Sequence, residues 1–292
     1  MKEYDRTTED VGNLVHLEHF NCVIDDQRLA VLFYVVGLGG TRDPYIFPGM
    51  ENIWLNFGRT QVHMPSRAVP PRFERLRGTA GFVVPSLDDL ARRLEHAGKE
   101  MKRVVGSSRE FSFVKKTDCI EATDPWGTRI RCHAPSPEYG RTELGLIYVD
   151  FDVPKGSAEG ISRFYNEVMK APARTMGPQA KVSVGKAQSL VFTETKEKLP
   201  EYDGHHIQVY IQDFSSPYKW LKEKGLINME TDAHEWRFQW ITDPKDGRKL
   251  FQIEHEVRSM KHPLFNRPLV NRNPAISNMG YIAGHDAFRG TY

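Results

Sequence analysis

The chain has 292 residues, of which 39% are hydrophobic and 27% are charged, and its formal net charge is +2. This length suits two domains, each long enough to bury a core. The near balance of 40 basic and 38 acidic residues argues against nucleic acid or an anionic membrane surface as a partner.

The N-terminal residues and the cysteines indicate the cellular compartment of the protein. The first ten residues, MKEYDRTTED, are polar and lack the apolar run of a signal peptide, and no apolar run is long enough to cross a membrane. Three cysteines, an odd number without CxxC spacing, favour a reducing compartment: Cys22, Cys119 and Cys132. We therefore expect a cytoplasmic protein without a membrane segment.

The first half of the chain is predicted to contain one strand, one helix and three strands, twice in succession. Alternating and apolar runs predict strands at 14–24, 51–57, 60–64, 79–84, 111–114, 119–122 and 130–133. Helices are predicted at 27–36, where Asp25 and Asp26 provide the cap, and at 86–96. Gly37 and Gly98 are expected to end them.

The second half repeats this order after a Pro-, Ser- and Gly-rich linker at 135–143. The predicted strands are 146–153, 182–184, 189–193, 206–211, 236–241 and 250–255, and the predicted helices are 158–169 and 215–224. Residues 257–292 are rich in Pro, Asn and Arg. We expect them to form an ordered arm over the body or over a second subunit, which makes a homo-oligomer possible.

Several local motifs recur about 120 to 130 residues apart, which indicates a duplicated domain. Asp124-Pro-Trp-Gly precedes one strand and Asp243-Pro-Lys-Asp-Gly precedes another, and both are turn sequences. Phe33-Tyr34 and Phe164-Tyr165 stand at matching places in two helices. The predicted division is a lead-in at 1–12, domains at 13–134 and 144–256 around the linker, and the arm.

These landmarks resemble the vicinal oxygen chelate superfamily, which includes glyoxalase I, bleomycin-resistance proteins and type I extradiol dioxygenases. The resemblance is carried by 19–25, by the helix end near Phe33-Tyr34, by strand 79–84 and by the two Asp-Pro turns, and it covers about 13–256. It implies an α+β fold: a tandem pair of domains, each of two βαβββ modules that form a cupped mixed sheet. Any metal would lie inside a cup, held by the first and last strands of each module.

The resemblance places two candidate sets of ligands for a divalent metal, with Fe, Mn, Ni or Zn as the candidates. In the first domain the set is His19, His63 and His133. It is slightly favoured because histidine is scarce, at 11 residues in the chain. In the second domain the set is Glu194, His206 and Glu254.

Two departures from the family pattern affect the expected site. Arg131 stands where the family usually has a glutamate, so a cup that faced Arg131 would suit an anion. Tyr148 replaces the first histidine of the dioxygenase set. Trp54, Arg131 and Tyr148 are candidates for lining a substrate pocket, although Trp54 also suits core packing.

The implied function is a metal-dependent enzyme of the dioxygenase or glyoxalase type, acting on a small molecule with vicinal oxygens. No catalytic residue is assigned. The alternative is a non-catalytic, metal-free small-molecule binding protein like those for bleomycin resistance. The sequence has no Gly-rich phosphate loop, nucleophile elbow or HExxH motif, so kinases, nucleotide-dependent dehydrogenases, serine hydrolases and zincins have no support.

Overall fold

The computed structural model describes residues 5–43, 52–66, 73–106 and 109–267, and the chain in these ranges contains four modules. Each module is a strand, a helix and three more strands, which confirms the predicted α+β class. The first module comprises β1 (Leu14–Asn21), α1 (Gln27–Ala30, continued by a π-helical segment at Val31–Gly37), β2 (Thr41–Arg42), β3 (Asn52–Phe57) and β4 (Thr60–Pro65). The second comprises β5 (Gly78–Val83), α2 (Leu87–Val105), β6 (Ser112–Lys115), β7 (Cys119–Thr123) and β8 (Arg129–His133).

The other two modules follow the same order. The third comprises β9 (Gly145–Pro154), α3 (Ala158–Arg163, continued by a π-helical segment at Phe164–Val168), β10 (Ala173–Met176), β11 (Gln179–Ser183) and β12 (Ser189–Thr195). The fourth comprises β13 (His206–Ile211), α4 (Ser215–Glu223), β14 (Ile227–Thr231), β15 (Glu235–Thr242) and β16 (Lys249–Ser259). Strands β2, β10 and β14 were not predicted from the sequence.

The strands form two eight-stranded mixed sheets, each built from two modules. Sheet I has the order β14-β15-β16-β13-β1-β4-β3-β2, and sheet II has the order β10-β11-β12-β9-β5-β8-β7-β6. Antiparallel pairing of β1 with β13 joins the two halves of sheet I, and antiparallel pairing of β5 with β9 joins those of sheet II. Sheet I thus combines the first and last modules, and sheet II combines the middle two.

The sheets do not follow the predicted domains 13–134 and 144–256, because each sheet contains one module from each of them, and the division of the chain into these domains stays a prediction. In every module the first strand pairs in parallel with the module's own last strand, which leaves the other edge of the first strand open. Four open edges must be covered. The second module is next in sequence to both the first and the third. Local sequence therefore does not determine which of these two modules it pairs with.

The repeated Asp-Pro turns are held by their aspartate side chains. Asp124 Oδ1 accepts the backbone N–H groups of Trp126 at 2.9 Å and Thr128 at 2.8 Å, while Oδ2 accepts the hydroxyl of Tyr34 at 2.8 Å. Asp243 accepts the N–H of Lys245 at 3.1 Å. Each buried carboxylate therefore fixes the turn that leads into the last strand of its module.

Helix α2 runs beyond its predicted end. Leu94, Ala97 and Met101 are all buried, so the apolar stripe continues past Gly98. The helix ends at Gly106 instead, whose φ of +72° suits glycine.

The start of the predicted C-terminal arm packs against the body. Phe265 lies 4.9 Å from Tyr210, measured between ring centroids, and buried Arg267 pairs with Asp43 of the first module. The remainder, 268–292, lies outside the described residues, and so does the proposed contact with a second subunit. No helix in the described ranges combines the length and apolar character needed to span a membrane.

Candidate metal centre

The register of sheet I brings polar side chains from four strands to one face. On β1, His19 lies opposite Gln208 of β13 and Gln61 of β4. Asn21 lies opposite the other two histidines on the same neighbouring strands. We call this surface the site face, and it carries His19, Asn21, Gln61, His63, His206, Gln208 and Glu256.

Three histidines converge on the site face. One ligand atom each from His19, His63 and His206 lies within 4.8 Å of the others, and no second group of three such side chains is found in the described part of the chain. The ring centroid of His19 lies 5.7 Å from that of His63 and 5.9 Å from that of His206. The imidazoles are therefore close enough to share one ion.

Two of these histidines have a buried ring nitrogen without a hydrogen bond. His19 is fully buried, and its Nδ1 lies 3.3 Å from Glu18 Oε2 while its Nε2 has no hydrogen-bond partner. His206 Nε2 lies 3.3 Å from Glu256 Oε2 but makes no hydrogen bond. A buried polar atom without a partner is costly, so His19 Nε2 can be stabilised by an additional group, which His206 Nε2 could share with Glu256.

The third histidine is held more tightly. Asn21 Nδ2 donates to His63 Nδ1 at 2.6 Å, and His63 Nε2 donates to Asn52 Oδ1 at 2.7 Å. The ring stacks on Trp54 with centroids 3.7 Å apart. Of the three predicted pocket residues, Trp54 therefore lies beside the histidine cluster.

Burial keeps two of the imidazoles neutral. It lowers the pKa of His19, although the contact with Glu18 opposes the shift, and it lowers the pKa of His63 well below its ordinary value. Neutral imidazole is the form that binds a metal ion. His19 therefore has a free nitrogen in its ligand form, whereas His63 would have to give up one hydrogen bond to act as a ligand.

A network of buried charges adjoins the histidines. Arg258 contacts Glu18 at 3.0 Å and Glu235 at 3.4 Å, and it also pairs with Glu256. Arg237 contacts Glu235 at 2.8 Å, Glu254 at 3.0 Å and Glu256 at 2.6 Å. Burial favours the neutral acid at Glu256, but Arg258 and His206 hold its pKa well below the ordinary value.

The network has more negative than positive groups. Among the described residues it contains four carboxylates and two guanidinium groups, which leaves two negative charges in excess. Buried charges are normally paired or bound to metal. An excess of two beside neutral imidazoles is the charge that a divalent cation would balance.

Two glutamine side chains flank His19 with unpaired polar atoms. Gln208 is fully buried, and neither of its amide atoms has a hydrogen-bond partner. Gln61 donates to Asp43 at 2.8 Å and to Asn56 at 2.5 Å, but its Oε1 has no partner. These amides can bind a ligand that enters the site.

The structure combines members of both predicted ligand sets. His19 and His63 from the first set meet His206 from the second, and Glu254 lies 3.9 Å from His206 Nδ1. His133 is not part of the cluster, because β8 belongs to sheet II and its Nε2 lies 3.0 Å from the hydroxyl of Tyr148. Sheet pairing between distant modules is the reason for both differences.

Glu194 is also not part of the cluster. It lies on β12 of sheet II, where its Oε1 accepts the N–H of Ala158 at 2.9 Å. Burial favours its neutral form, but the backbone N–H groups at the start of α3 lower its pKa. The carboxylate therefore caps a helix N-terminus.

The other two predicted pocket residues lie on sheet II. Arg131 donates to Glu121 at 2.9 Å, and it lines a cavity of about 570 Å³ together with Tyr148. A Cβ added to Gly81 would lie 2.2 Å from the Tyr148 ring, so the tyrosine covers the centre of this sheet. Sheet II therefore presents a cation and a phenol where sheet I presents histidines.

Sequence reasoning missed Glu18, Gln208, Glu256 and Arg258. The signal for two of them was present: residues two apart share a face of a strand, so His206 implies Gln208 and Glu254 implies Glu256. The predicted last strand ended at 255, whereas β16 continues to Ser259. Glu18 was missed because it lies at an irregularity of β1, which the alternation of side chains along a strand does not predict.

Comparisons with known proteins agree on the fold. Neither a family model nor a curated protein matches the sequence. Among solved structures, the chain is similar to a Bacillus subtilis protein provisionally assigned as a dioxygenase, with a TM-score of 0.57 and 11% identity over 92% of this chain and 90% of that one. It is also similar to glyoxalase I from Zea mays, with a TM-score of 0.53 and 16% identity over 83% of this chain and 92% of that one.

The architecture and these similarities together define the class of fold. The chain has the vicinal oxygen chelate fold, with four βαβββ modules in two eight-stranded mixed sheets. At these levels of identity the likeness describes the fold, and function has to be argued from the site.

Proposed function

We propose that the protein is a metal-dependent enzyme acting on a small molecule, with a divalent ion held by His19, His63 and His206. The observation that carries the proposal is the convergence of these three side chains within 4.8 Å. Imidazole ligands suit Fe, Ni and Zn, and a neighbouring carboxylate extends the range to Mn.

The residues fit such an ion in charge and in hydrogen bonding. His19 Nε2 would gain a partner, His206 Nε2 would exchange its 3.3 Å contact with Glu256 for the ion, and the two excess negative charges of the network would be balanced. His63 would exchange one of its two amide hydrogen bonds for the ion. Glu256, whose Oε2 lies 3.3 Å from His206 Nε2, is a candidate for a fourth ligand.

A bound ion would supply Lewis-acid stabilisation of negative charge on a substrate oxygen. The chain's own residues would orient the substrate. Gln61 and Gln208 lie on opposite sides of His19. Gln61 Oε1 can accept from a hydroxyl and the Gln208 amide can donate or accept, so they suit a substrate with two adjacent oxygens of which one is a hydroxyl. The buried site face and Trp54 would limit the access of water, which strengthens every polar contact within the site.

The proposal is tested by elemental analysis of purified wild type and of His19→Ala, His206→Ala and His133→Ala. We expect about one metal ion per chain in wild type and in His133→Ala, and background levels in the other two. His133 is the matched control because it is a strand histidine of the other sheet. Loss of metal in His133→Ala with retention in His206→Ala would contradict this site.

The reaction type is tested with the same proteins after loading with Fe(II). Oxygen uptake with catechol as the probe, lost in His19→Ala, would assign the dioxygenase type. A folded wild type that takes up none of Fe, Mn, Ni or Zn would exclude the enzyme proposed here and favour the metal-free binding protein.

A further inference from the structure

Glu18 occupies an irregular position in β1, directly before His19. Leu17 pairs with Val209 and His19 pairs with Gln208, so β1 has one more residue than β13 between these two pairs. The extra residue is Glu18, and such a bulge interrupts the alternation of the strand. As a result, Glu18 and His19 are consecutive residues that both reach groups on the site face.

The Glu18 carboxylate is buried and fully engaged. Its Oε2 lies 3.3 Å from His19 Nδ1 and 3.0 Å from the guanidinium of Arg258, and its Oε1 accepts the hydroxyl of Tyr210 at 3.0 Å. The carboxylate therefore pairs with a guanidinium and accepts a hydrogen bond at its other oxygen, so it is a hydrogen-bond acceptor in a fixed orientation.

An ionised carboxylate can only accept hydrogen bonds, so it determines which nitrogen of His19 carries the proton. In a neutral ring that donates from Nδ1, the lone pair lies on Nε2. Nε2 is the buried nitrogen of His19 without a partner. The bulge thus places a side chain that selects the ligand form of His19.

We propose that Glu18 is a positioning residue that holds His19 in the Nδ1–H tautomer and directs its Nε2 lone pair into the histidine cluster. The part of this inference that concerns metal affinity rests on the proposed function, whereas the tautomer is a property of the metal-free chain. Carboxylate partners of ligating histidines typically change metal affinity 10- to 100-fold.

A purely structural role for Glu18 has to be separated from this one, because Glu18 also neutralises Arg258. Glu235 provides the matched control. It is a buried glutamate that contacts the same guanidinium, at 3.4 Å, and within the described residues it has no hydrogen bond to a histidine. Glu235→Gln therefore removes the same charge from the same network without affecting the partner of His19.

The first experiment measures ¹⁵N chemical shifts of histidine-labelled, metal-free protein, with His19 assigned from the signal missing in His19→Ala. We expect a protonated Nδ1 in wild type, in Glu235→Gln and in Glu18→Gln, whose amide oxygen still accepts. Glu18→Ala should shift the proton towards Nε2. An unchanged His19 tautomer in folded Glu18→Ala would overturn the inference, whether or not wild type binds metal.

The second experiment titrates each protein with Co(II) and records the affinity and the d–d absorption spectrum. We expect Glu18→Ala to bind 10- to 100-fold more weakly than wild type and with an altered spectrum, and Glu18→Gln to lose more affinity than Glu235→Gln. If Glu18→Ala does not fold, the Co(II) affinities of Glu18→Gln and Glu235→Gln decide the question. Equal losses of affinity would show that Glu18 acts only by neutralising Arg258. A wild type that binds no Co(II) would instead count against the proposed function and leave the tautomer result standing.

Discussion

Asp124 shows how strongly one buried side chain can tie stability to pH. Its carboxylate accepts hydrogen bonds from Tyr34, Trp126 and Thr128 within the turn before β8. Burial nevertheless dominates and raises the pKa of Asp124 from 3.8 to about 6. The folded chain therefore binds a proton at the Asp124 carboxylate more tightly than the unfolded chain does.

The consequence is a loss of stability as pH rises. The contribution of Asp124 to the free energy of unfolding is most favourable below pH 3.8 and declines as pH rises through about 6, by about 3 kcal/mol in total. We expect Asp124→Asn to lack this decline, since its amide can still bond both the backbone and Tyr34. Urea denaturation of both proteins between pH 4 and 8 measures the difference, and parallel pH profiles would contradict it.

At the scale of single elements, α2 shows that a glycine in a helix need not end it. Gly98 lies in the interior of α2, and a Cβ added there would meet the Phe111 ring at 3.6 Å, an ordinary contact. Gly106 follows the helix with φ of +72°, a conformation that costs energy for other residues. The two glycines therefore have opposite roles although the sequence presents them alike.

Alanine substitutions at these glycines should have opposite effects. Gly98→Ala is expected to raise the free energy of unfolding by about 0.5 to 1 kcal/mol, because alanine favours the helix and restricts the unfolded chain. Gly106→Ala, the matched control, is expected to lower it by about 1 kcal/mol because of the positive φ. Chemical denaturation measures both. Destabilisation by Gly98→Ala would place the helix end at Gly98, as the sequence suggested.

On the scale of the whole molecule, the pairing of distant modules creates the candidate site. His19 and His206 are far apart in sequence but meet because β1 and β13 are neighbours in sheet I. The predicted linker between β8 and β9 connects two modules of sheet II. Both sheets therefore contain strands from either side of this connection.

Cutting the connection should consequently leave the protein assembled. We expect a chain with a protease site inserted after the exposed Gly140 to elute after cleavage at the volume of the intact protein, because β1–β13 and β5–β9 pairing spans the cut. Size-exclusion chromatography measures this, and the same sample in urea provides the control in which the fragments separate. Independent elution of the two halves without denaturant would show that the sheets are not shared.

The sequence by itself determined the module and most of its elements. Turn chemistry at Asp124 and Asp243, alternation along the strands and the capped helices are local properties, set by residues a few positions apart. The resemblance to the vicinal oxygen chelate superfamily, carried by these landmarks, then placed His19, His63, His206 and Glu254 among the candidate ligands. The local patterns could not show which candidates meet.

The tertiary structure decided the pairing of the modules, and with it the composition of the site. All four first strands offer an open edge with similar hydrogen-bonding groups, so the choice among them depends on the packing of complete modules. That choice brings His206 to His19 and leaves His133 with Tyr148 in the other sheet. The bulge that places Glu18 beside His19 arises where β1 meets β13, and no single segment of the sequence contains both strands.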